Sequence, residues 1–261
     1  MRREVLSTFC RRGADLGGLG PVVSFSFDDF PRSALTCGAD IVESAGARAT
    51  YYVAMGMMNT VNQLGEQFSS DDLHALAGRG HEIAIHGYGH LSARRTSAED
   101  FVRDVAECRE ALRQCLPGAV SDNFAYPYGE ATLVSKRVLG PRMASSRGTV
   151  PGLNGPDADL NLLRANPLYG GEDQAEGALR LIAENQRRKA WLIFYTHDVS
   201  ETPSPYGCTP SLLRIAVSAA AENGARLMTV ADVVNAIHGA EKTGTNQATE
   251  KESESRAALR H

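Results

Sequence analysis

Ile41-Val42-Glu43-Ser44-Ala45-Gly46-Ala47-Arg48-Ala49-Thr50-Tyr51-Tyr52-Val53 reads as the end of a helix, a glycine and a short strand. The same grammar returns twice. Leu73-His74-Ala75-Leu76-Ala77-Gly78-Arg79-Gly80 precedes His81 to His86, and Ala219-Ala220-Ala221-Glu222-Asn223-Gly224 precedes Ala225 to Val230. A glycine just past a helix takes the left-handed conformation that turns the chain back toward a strand. Helices alternating with short β-branched and aromatic runs argue for βα units and a parallel sheet. Further strands are expected at Val22 to Phe27, Asn123 to Tyr126 and Ala190 to Thr196, with weaker ones at Arg142 to Ser146 and Leu163 to Asn166. A helix is expected from Ala98 to Leu116, opened by Ser97 and Asp100 as a capping-box-like start. About seven parallel strands in one chain of 261 residues predict an α/β fold, a (β/α) barrel that need not close fully. An open doubly wound sheet is disfavoured, because no glycine-rich dinucleotide fingerprint follows the first strand.

Residues 1–239 are expected to form one domain, and the polar, charged residues 240–261 a flexible tail. Hydrophobic residues make up 43% of the chain and the net charge is −4, so general nucleic-acid binding is not expected. No apolar run reaches the length of a membrane span. The start has a basic head without a signal peptide's apolar stretch, which leads to the expectation of a cytoplasmic protein. The five cysteines form no CxxC pair, and Cys108 and Cys115 share one helix face as small hydrophobes.

The chemistry gathers where barrels carry it, at the C-terminal ends of strands. Val22-Val23-Ser24-Phe25-Ser26-Phe27 ends in Asp28-Asp29. Two carboxylates about 4 Å apart repel by roughly 4 kcal/mol at an effective dielectric near 20. They need a shared proton or a cation. Glu82-Ile83-Ala84-Ile85 ends in His86-Gly87-Tyr88-Gly89-His90. Asp29, His86 and His90 make an Asp plus two His set that leaves positions open on a divalent metal. Asp28 is then a free carboxylate suited to general base work, a second ligand or a capping group. Tyr126-Pro127-Tyr128-Gly129 follows the next strand and can aim the Tyr128 backbone N–H into the site. His197 ends Leu192-Ile193-Phe194-Tyr195-Thr196 and reads as a third ligand, a core histidine or a general acid. Asp198 either orients it or is a loop acid. His74, His81, His238 and His261 read as structural or solvated. Tyr128, Tyr195 and Tyr206 are candidates for stacking on sugar rings or for packing. The segments Thr149 to Leu160 and Ser200 to Cys208 read either as cleft borders or as ordinary connectors.

In combination these motifs resemble the polysaccharide deacetylases of carbohydrate esterase family 4, the NodB homology domain, over roughly Val22 to Val234. Ser26-Phe27-Asp28-Asp29 is similar to that family's Thr-Phe-Asp-Asp, and His86 to His90 to its His-Ser/Thr-x-x-His. Tyr126 to Gly129 is similar to the end of its Arg-Pro-Pro-Tyr-Gly, and Ile193 to His197 to its final Leu-x-x-x-His. The resemblance implies a distorted (β/α) barrel and a divalent metal, zinc with cobalt or nickel as alternatives. It implies removal of N-acetyl groups from an amino-sugar glycan, oligosaccharide or linked precursor. It makes Asp28 the base, Asp29, His86 and His90 the ligands, the Tyr128 N–H an oxyanion donor and His197 the acid. Four departures stand out. Phe30 replaces a glycine, Gly87 replaces a hydroxyl residue, and Ala125 stands where a base-orienting arginine is usual. The motif of an acidic residue with Trp near the acid has no match. Arg147, at a strand end, is the candidate replacement for the missing guanidinium. Hydrolysis of a small or cyclic amide, or a catalytically impaired binder of metal or glycan, are the alternatives.

Overall fold

Gly46, Gly80 and Gly224 carry the turns expected of them, with φ of +70°, +78° and +75°, and each hands a helix on to a strand of one sheet. The computed structural model describes residues 6–16 and 18–239. The expected tail, 240–261, and His261 lie outside the described residues. The strands of the main sheet are β1 (Val22–Asp29), β2 (Thr50–Val53), β3 (Glu82–Ile85), β4 (Val120–Ala125), β5 (Ser145–Arg147), β6 (Asn166–Pro167), β7 (Trp191–Thr196) and a short β8 (Arg226–Leu227). All ladders between them are parallel, in the order β6-β7-β1-β2-β3-β4-β5, with β8 beside the start of β1.

The chain between β5 and β6 spans the gap between the two outer strands. Leu163 exchanges bonds with Ser146 and Gly148 on one side. Asn166 and Pro167 pair with Phe194 and Tyr195 on the other. The result is the distorted barrel that the sequence predicts. The two weaker strands differ from expectation in where they lie, and the strand expected after Gly224 is only Arg226–Leu227. Arg142 and Met143 still close the turn after α4 (Leu133–Leu139) by bonding the Leu139 carbonyl, so β5 starts only at Ser145. Leu163 makes a single bridge to Arg147, and the paired strand begins at Asn166.

Outer helices cover the sheet: α1 (Asp40–Ser44), which continues a π-helical turn at Ala34–Ala39, α2 (Ser70–Gly78), α3 (Ala98–Cys115), α4, α5 (Ala175–Arg188) and α6 (Pro210–Glu222). The Ser97 hydroxyl accepts the Asp100 N–H, the cap expected at the start of α3. Lys136 of α4, fully buried, ties down the start of the described chain: its Nζ donates to the Leu6 and Phe9 carbonyls and pairs with Asp159 at 2.7 Å.

Strand alternation sorts the interior from the helix-facing core. Val23, Phe25 and Phe27 pack outward with Tyr51, Ile83 and Phe194. Inward-facing residues form two layers. In the lower one Thr50 Oγ1 and Asn123 Nδ2 each donate to Glu82 at 2.7 Å, and Ser145 Oγ donates to Asn123 Oδ1. The Ala231 N–H also donates to Glu82, which seats the helical residues 230–239 against this layer. The upper layer pairs Asp28 with Tyr52, Tyr52 with Ala84, and Ala125 with Arg147. Alanine at positions 84 and 125 leaves the width of the interior open to a long side chain from β5.

Trp191 lies in the floor of the barrel, where its Nε1–H donates to Ser24 Oγ at 2.9 Å. It is a core residue, remote from the strand ends. The segment Thr149 to Leu160 departs from its expected place as a cleft border. Thr149 stays beside Gly129, but Asn154 bonds Trp191 at the opposite end of β7. Among the described residues no helix is long and apolar enough to cross a membrane.

Candidate metal centre

Plain alternation would send Asp28 inward and Asp29 out among the helices. The chain avoids this by taking left-handed conformations at Asp29 (φ 63°) and Phe30 (φ 70°). That turn brings the Asp29 carboxylate over the end of the barrel. Each such conformation costs a non-glycine residue roughly 1–2 kcal/mol. The Phe30 ring offsets this by stacking on Phe68 at 5.1 Å and edge-on to Tyr51, fully buried. Replacing Phe30 with glycine would relax the backbone but forfeit contacts worth about 3–5 kcal/mol. Phe30→Gly is therefore expected to destabilise the protein by about 2 kcal/mol. Urea unfolding checks it, and an unchanged or raised midpoint would contradict this account.

His86 follows β3 and is buried, and its Nδ1 lies 2.8 Å from the Ala125 carbonyl. A carbonyl only accepts, so Nδ1 carries the hydrogen and Nε2 presents a lone pair. That Nε2 is 3.4 Å from Asp29 Oδ1, and the His90 Nε2 is 3.2 Å from the same oxygen. Burial, with the neighbouring His90, pushes the His86 imidazole down to about 4, so it is neutral at pH 7 as a ligand must be. Asp29 Oδ1 is buried and has no hydrogen-bond partner. One atom from each of Asp29, His86 and His90 lies within 4.8 Å of the others. An orphaned carboxylate oxygen facing the Nε2 atoms of two imidazoles is the donor set a divalent cation fits.

Between the histidines, Gly87 (φ 83°) has no room for a side chain: a Cβ would sit 2.6 Å from Asp104 Oδ2. The Asp104 carboxylate accepts the Tyr88 and Gly89 N–H groups at 3.0 and 2.7 Å. This acid on α3 thus braces the loop between the two histidines. Burial pushes its carboxyl up, against the two N–H bonds. Sequence reading missed Asp104, because nothing at its position in an amphipathic helix marks it.

Asp28 is buried and ion-paired with Arg147 NH2 through Oδ1. Burial pushes the Asp28 carboxyl up, but the Arg147 guanidinium, with His86 and His197, outweighs burial and holds it below its ordinary value. Arg147 is fully buried, its guanidinium 4.7 Å from the Tyr52 ring and 5.1 Å from the Tyr195 ring. Burial works against its charge, and Asp28 restores it. The guanidinium comes from the position paired directly with Ala125 across the β4–β5 ladder.

Tyr128 takes φ 59° in a turn that Gly129 must continue, since a Cβ there would overlap the Thr149 side chain. Its exposed ring sits edge-on to His90, 4.5 Å between centroids. Beside it a hollow is lined by His90, Ser92, Arg95, Tyr128 and Glu130. Across the site, His197 Nδ1 lies 3.1 Å from the Tyr206 carbonyl and therefore carries the hydrogen. Tyr169 adds a ring 6.1 Å from His197 that sequence reading did not single out. Tyr206 is exposed and Tyr195 buried. His81 is structural, accepting the Ala49 N–H and contacting Glu43.

Residues 18–140 match a family model described as polysaccharide deacetylase. No curated protein matches the chain. Among solved structures, the chitin deacetylase from the fungal pathogen Colletotrichum lindemuthianum is 20% identical, with a TM-score of 0.58 over 82% of this chain and 87% of that one. The peptidoglycan deacetylase PdaC from Bacillus subtilis is 15% identical, with a TM-score of 0.54 over 89% and 98%. A mutant of BA3943, a CE4-family pseudoenzyme with restored enzymatic activity, is 11% identical, with a TM-score of 0.55 over 82% and 68%. These structures share the fold described above.

Proposed function

We propose, from the match of residues 18–140 to the polysaccharide deacetylase model, that this chain is a metal-dependent hydrolase of N-acetyl groups on an amino-sugar glycan, oligosaccharide or linked precursor. The observation that carries this reading is the pairing of two features at one barrel end. An orphaned Asp29 oxygen faces two imidazoles, and a separate carboxylate, Asp28, is held by a guanidinium. Asp29, His86 and His90 would hold a divalent cation, zinc first, with cobalt or nickel as alternatives. Such an ion polarises an acyl oxygen and acidifies a water when bound.

The chain's own groups supply the rest. Arg147 occupies Oδ1 of Asp28 and leaves the other oxygen to take the proton of the attacking water. The Tyr128 backbone N–H, in the turn after β4, would donate to the acyl oxygen as it gains charge, a contribution typically worth about 2.7–4 kcal/mol per donor. His197, held through Nδ1–H and acting as the imidazolium, gives its Nε2 proton to the departing amine and is left neutral. Acetate and a free amino sugar are the products. The exposed rings of Tyr128 and Tyr206 flank the centre on either side and suit the apolar faces of pyranose rings.

The test is acetate release from N-acetylglucosamine oligomers by the zinc-loaded protein, run beside ammonia or carboxylate release from small cyclic amides. Acetate release is expected. Asp28→Asn is expected to keep zinc and lose about 10²–10⁴ in rate. Activity confined to the small amides, or an Asp28→Asn protein at full rate, would count against the reading.

A further inference from the structure

We propose that Asp198 is the positioning residue for His197, acting through the Ser204 hydroxyl and the Tyr206 peptide to hold the imidazole in one tautomer and one orientation. The proposal rests on the reading of His197 as the proton donor for the importance it gives this ring, and on geometry alone for the linkage itself.

Asp198 is next to His197 in sequence but does not touch its ring. It is 5% exposed, and its carboxylate accepts both the Ser204 N–H, at 2.8 Å, and the Ser204 hydroxyl. The Ser204 oxygen in turn accepts the Tyr206 N–H at 3.2 Å. The carbonyl of Tyr206 accepts the His197 N–H at 3.2 Å and the His197 Nδ1–H at 3.1 Å. Hydrogen bonds thus run from a buried carboxylate through one hydroxyl to the Tyr206 N–H, and the carbonyl of the same residue, fixed in place with it, holds the imidazole.

The surrounding chain is built to keep this path in place. Pro203 and Pro205 flank Ser204, so two fixed φ angles bracket the hydroxyl. Gly207 is required, because a Cβ there would fall 2.4 Å from Asp198 Oδ1 and 2.6 Å from the Asp198 carbonyl. The Cys208 N–H donates to that carbonyl at 3.0 Å, and the Ser200 N–H donates to the Cys208 carbonyl at 3.2 Å, which closes the loop on itself. Tyr169 and Tyr206 leave the ring little freedom to swing, with centroids 6.1 and 5.8 Å from it. A loop acid that only capped a turn would need neither the two prolines nor a carbonyl spent on a histidine ring.

The experiment reads the His197 tautomer by long-range ¹⁵N–¹H correlation in the full chain, with zinc bound, above the titration of the ring. Wild type is expected to show mainly the Nδ1–H form. Asp198→Asn and Ser204→Ala are each expected to raise the Nε2–H fraction several-fold. The same variants are expected to lower kcat about tenfold with KM within about twofold, since misorienting a catalytic group costs rate more than binding. Ser204→Thr keeps the hydroxyl and is expected to restore both readouts. If Asp198→Asn does not fold, Ser204→Ala removes only the hydroxyl and carries the test. An unchanged tautomer in the folded variants, or an Nε2–H majority in wild type, overturns the proposal. A tautomer shift in a protein that releases no acetate upholds the linkage and sinks the deacetylase reading instead.

Discussion

Asp29→Ala is expected to abolish stoichiometric zinc binding and, with it, hydrolysis. Removing an outer-shell partner of a metal ligand typically costs about 10–100-fold in affinity. Asp29 is the only carboxylate of the three convergent groups, so its loss should cost at least about 100-fold. The metal-free protein tells the complementary half of the story. Asp29 Oδ1 is buried with no hydrogen bond to offset its desolvation. Taking that oxygen away should therefore leave the metal-free melting temperature level or slightly raised. The rise on adding zinc should vanish, whereas wild type gains about 2.7 kcal/mol at a free metal concentration of a hundred times Kd. Calorimetry with and without zinc reads both halves. A variant that still binds one equivalent of zinc tightly refutes the assigned site.

Arg147→Ala is expected to be the most damaging change away from the ligands. It strands Asp28, which is 4% exposed, without its counter-charge. Breaking a buried pair in this way typically costs about 3–5 kcal/mol. The sign of its pH dependence follows. In wild type, burial opposes the Asp28 charge but Arg147 outweighs it, so the folded carboxyl lies below its ordinary value. That stabilisation is present above the unfolded pKa and is lost as pH falls through the folded one. Without the guanidinium, burial dominates and the carboxyl rises. The stability gap between wild type and variant should be widest near neutrality and narrow toward acid pH. Turnover should fall by about 10²-fold or more, because the base is both misplaced and partly protonated. The β4–β5 register offers a stringent check. Ala125 and Arg147 are paired across the ladder, so Ala125→Arg combined with Arg147→Ala returns a guanidinium to the same layer from the neighbouring strand. The double variant is expected to recover a substantial part of the lost rate and stability. No recovery, with zinc content intact, would show that position 147 does more than orient the base.

The helix, glycine and strand grammar was legible because it is local. Gly46, Gly80 and Gly224 announce left-handed turns whatever lies elsewhere in the chain. Asp28, Asp29, His86 and His90 were legible for the same reason, being contiguous at the ends of apolar strands. What stayed hidden depends on register and on distant contacts. That Arg147 lies opposite Ala125 is a property of two strands more than 20 residues apart, and only the ladder reveals it. Asp104 carries no mark in its own helix, and its task is defined by the N–H groups of Tyr88 and Gly89. Asp198 could be read from its place beside His197 as an orienting group or as a loop acid, and the route through Ser204 and Tyr206 is visible only in the folded loop. The segment from Thr149 to Leu160 was misplaced because proline and glycine mark a loop without saying which end of a barrel it visits.

The stretch that joins Ser146 and Gly148 to the partner strand at Phe194 and Tyr195 has an effect beyond shape. An outermost strand with idle amide and carbonyl groups is an invitation to edge-to-edge aggregation. Here β5 meets Leu163, β6 lies on β7, and the Ala165 N–H reaches the Val150 carbonyl. Both flanks of the sheet are spoken for by the chain itself, so its backbone offers a neighbouring molecule little template for fibrillar growth.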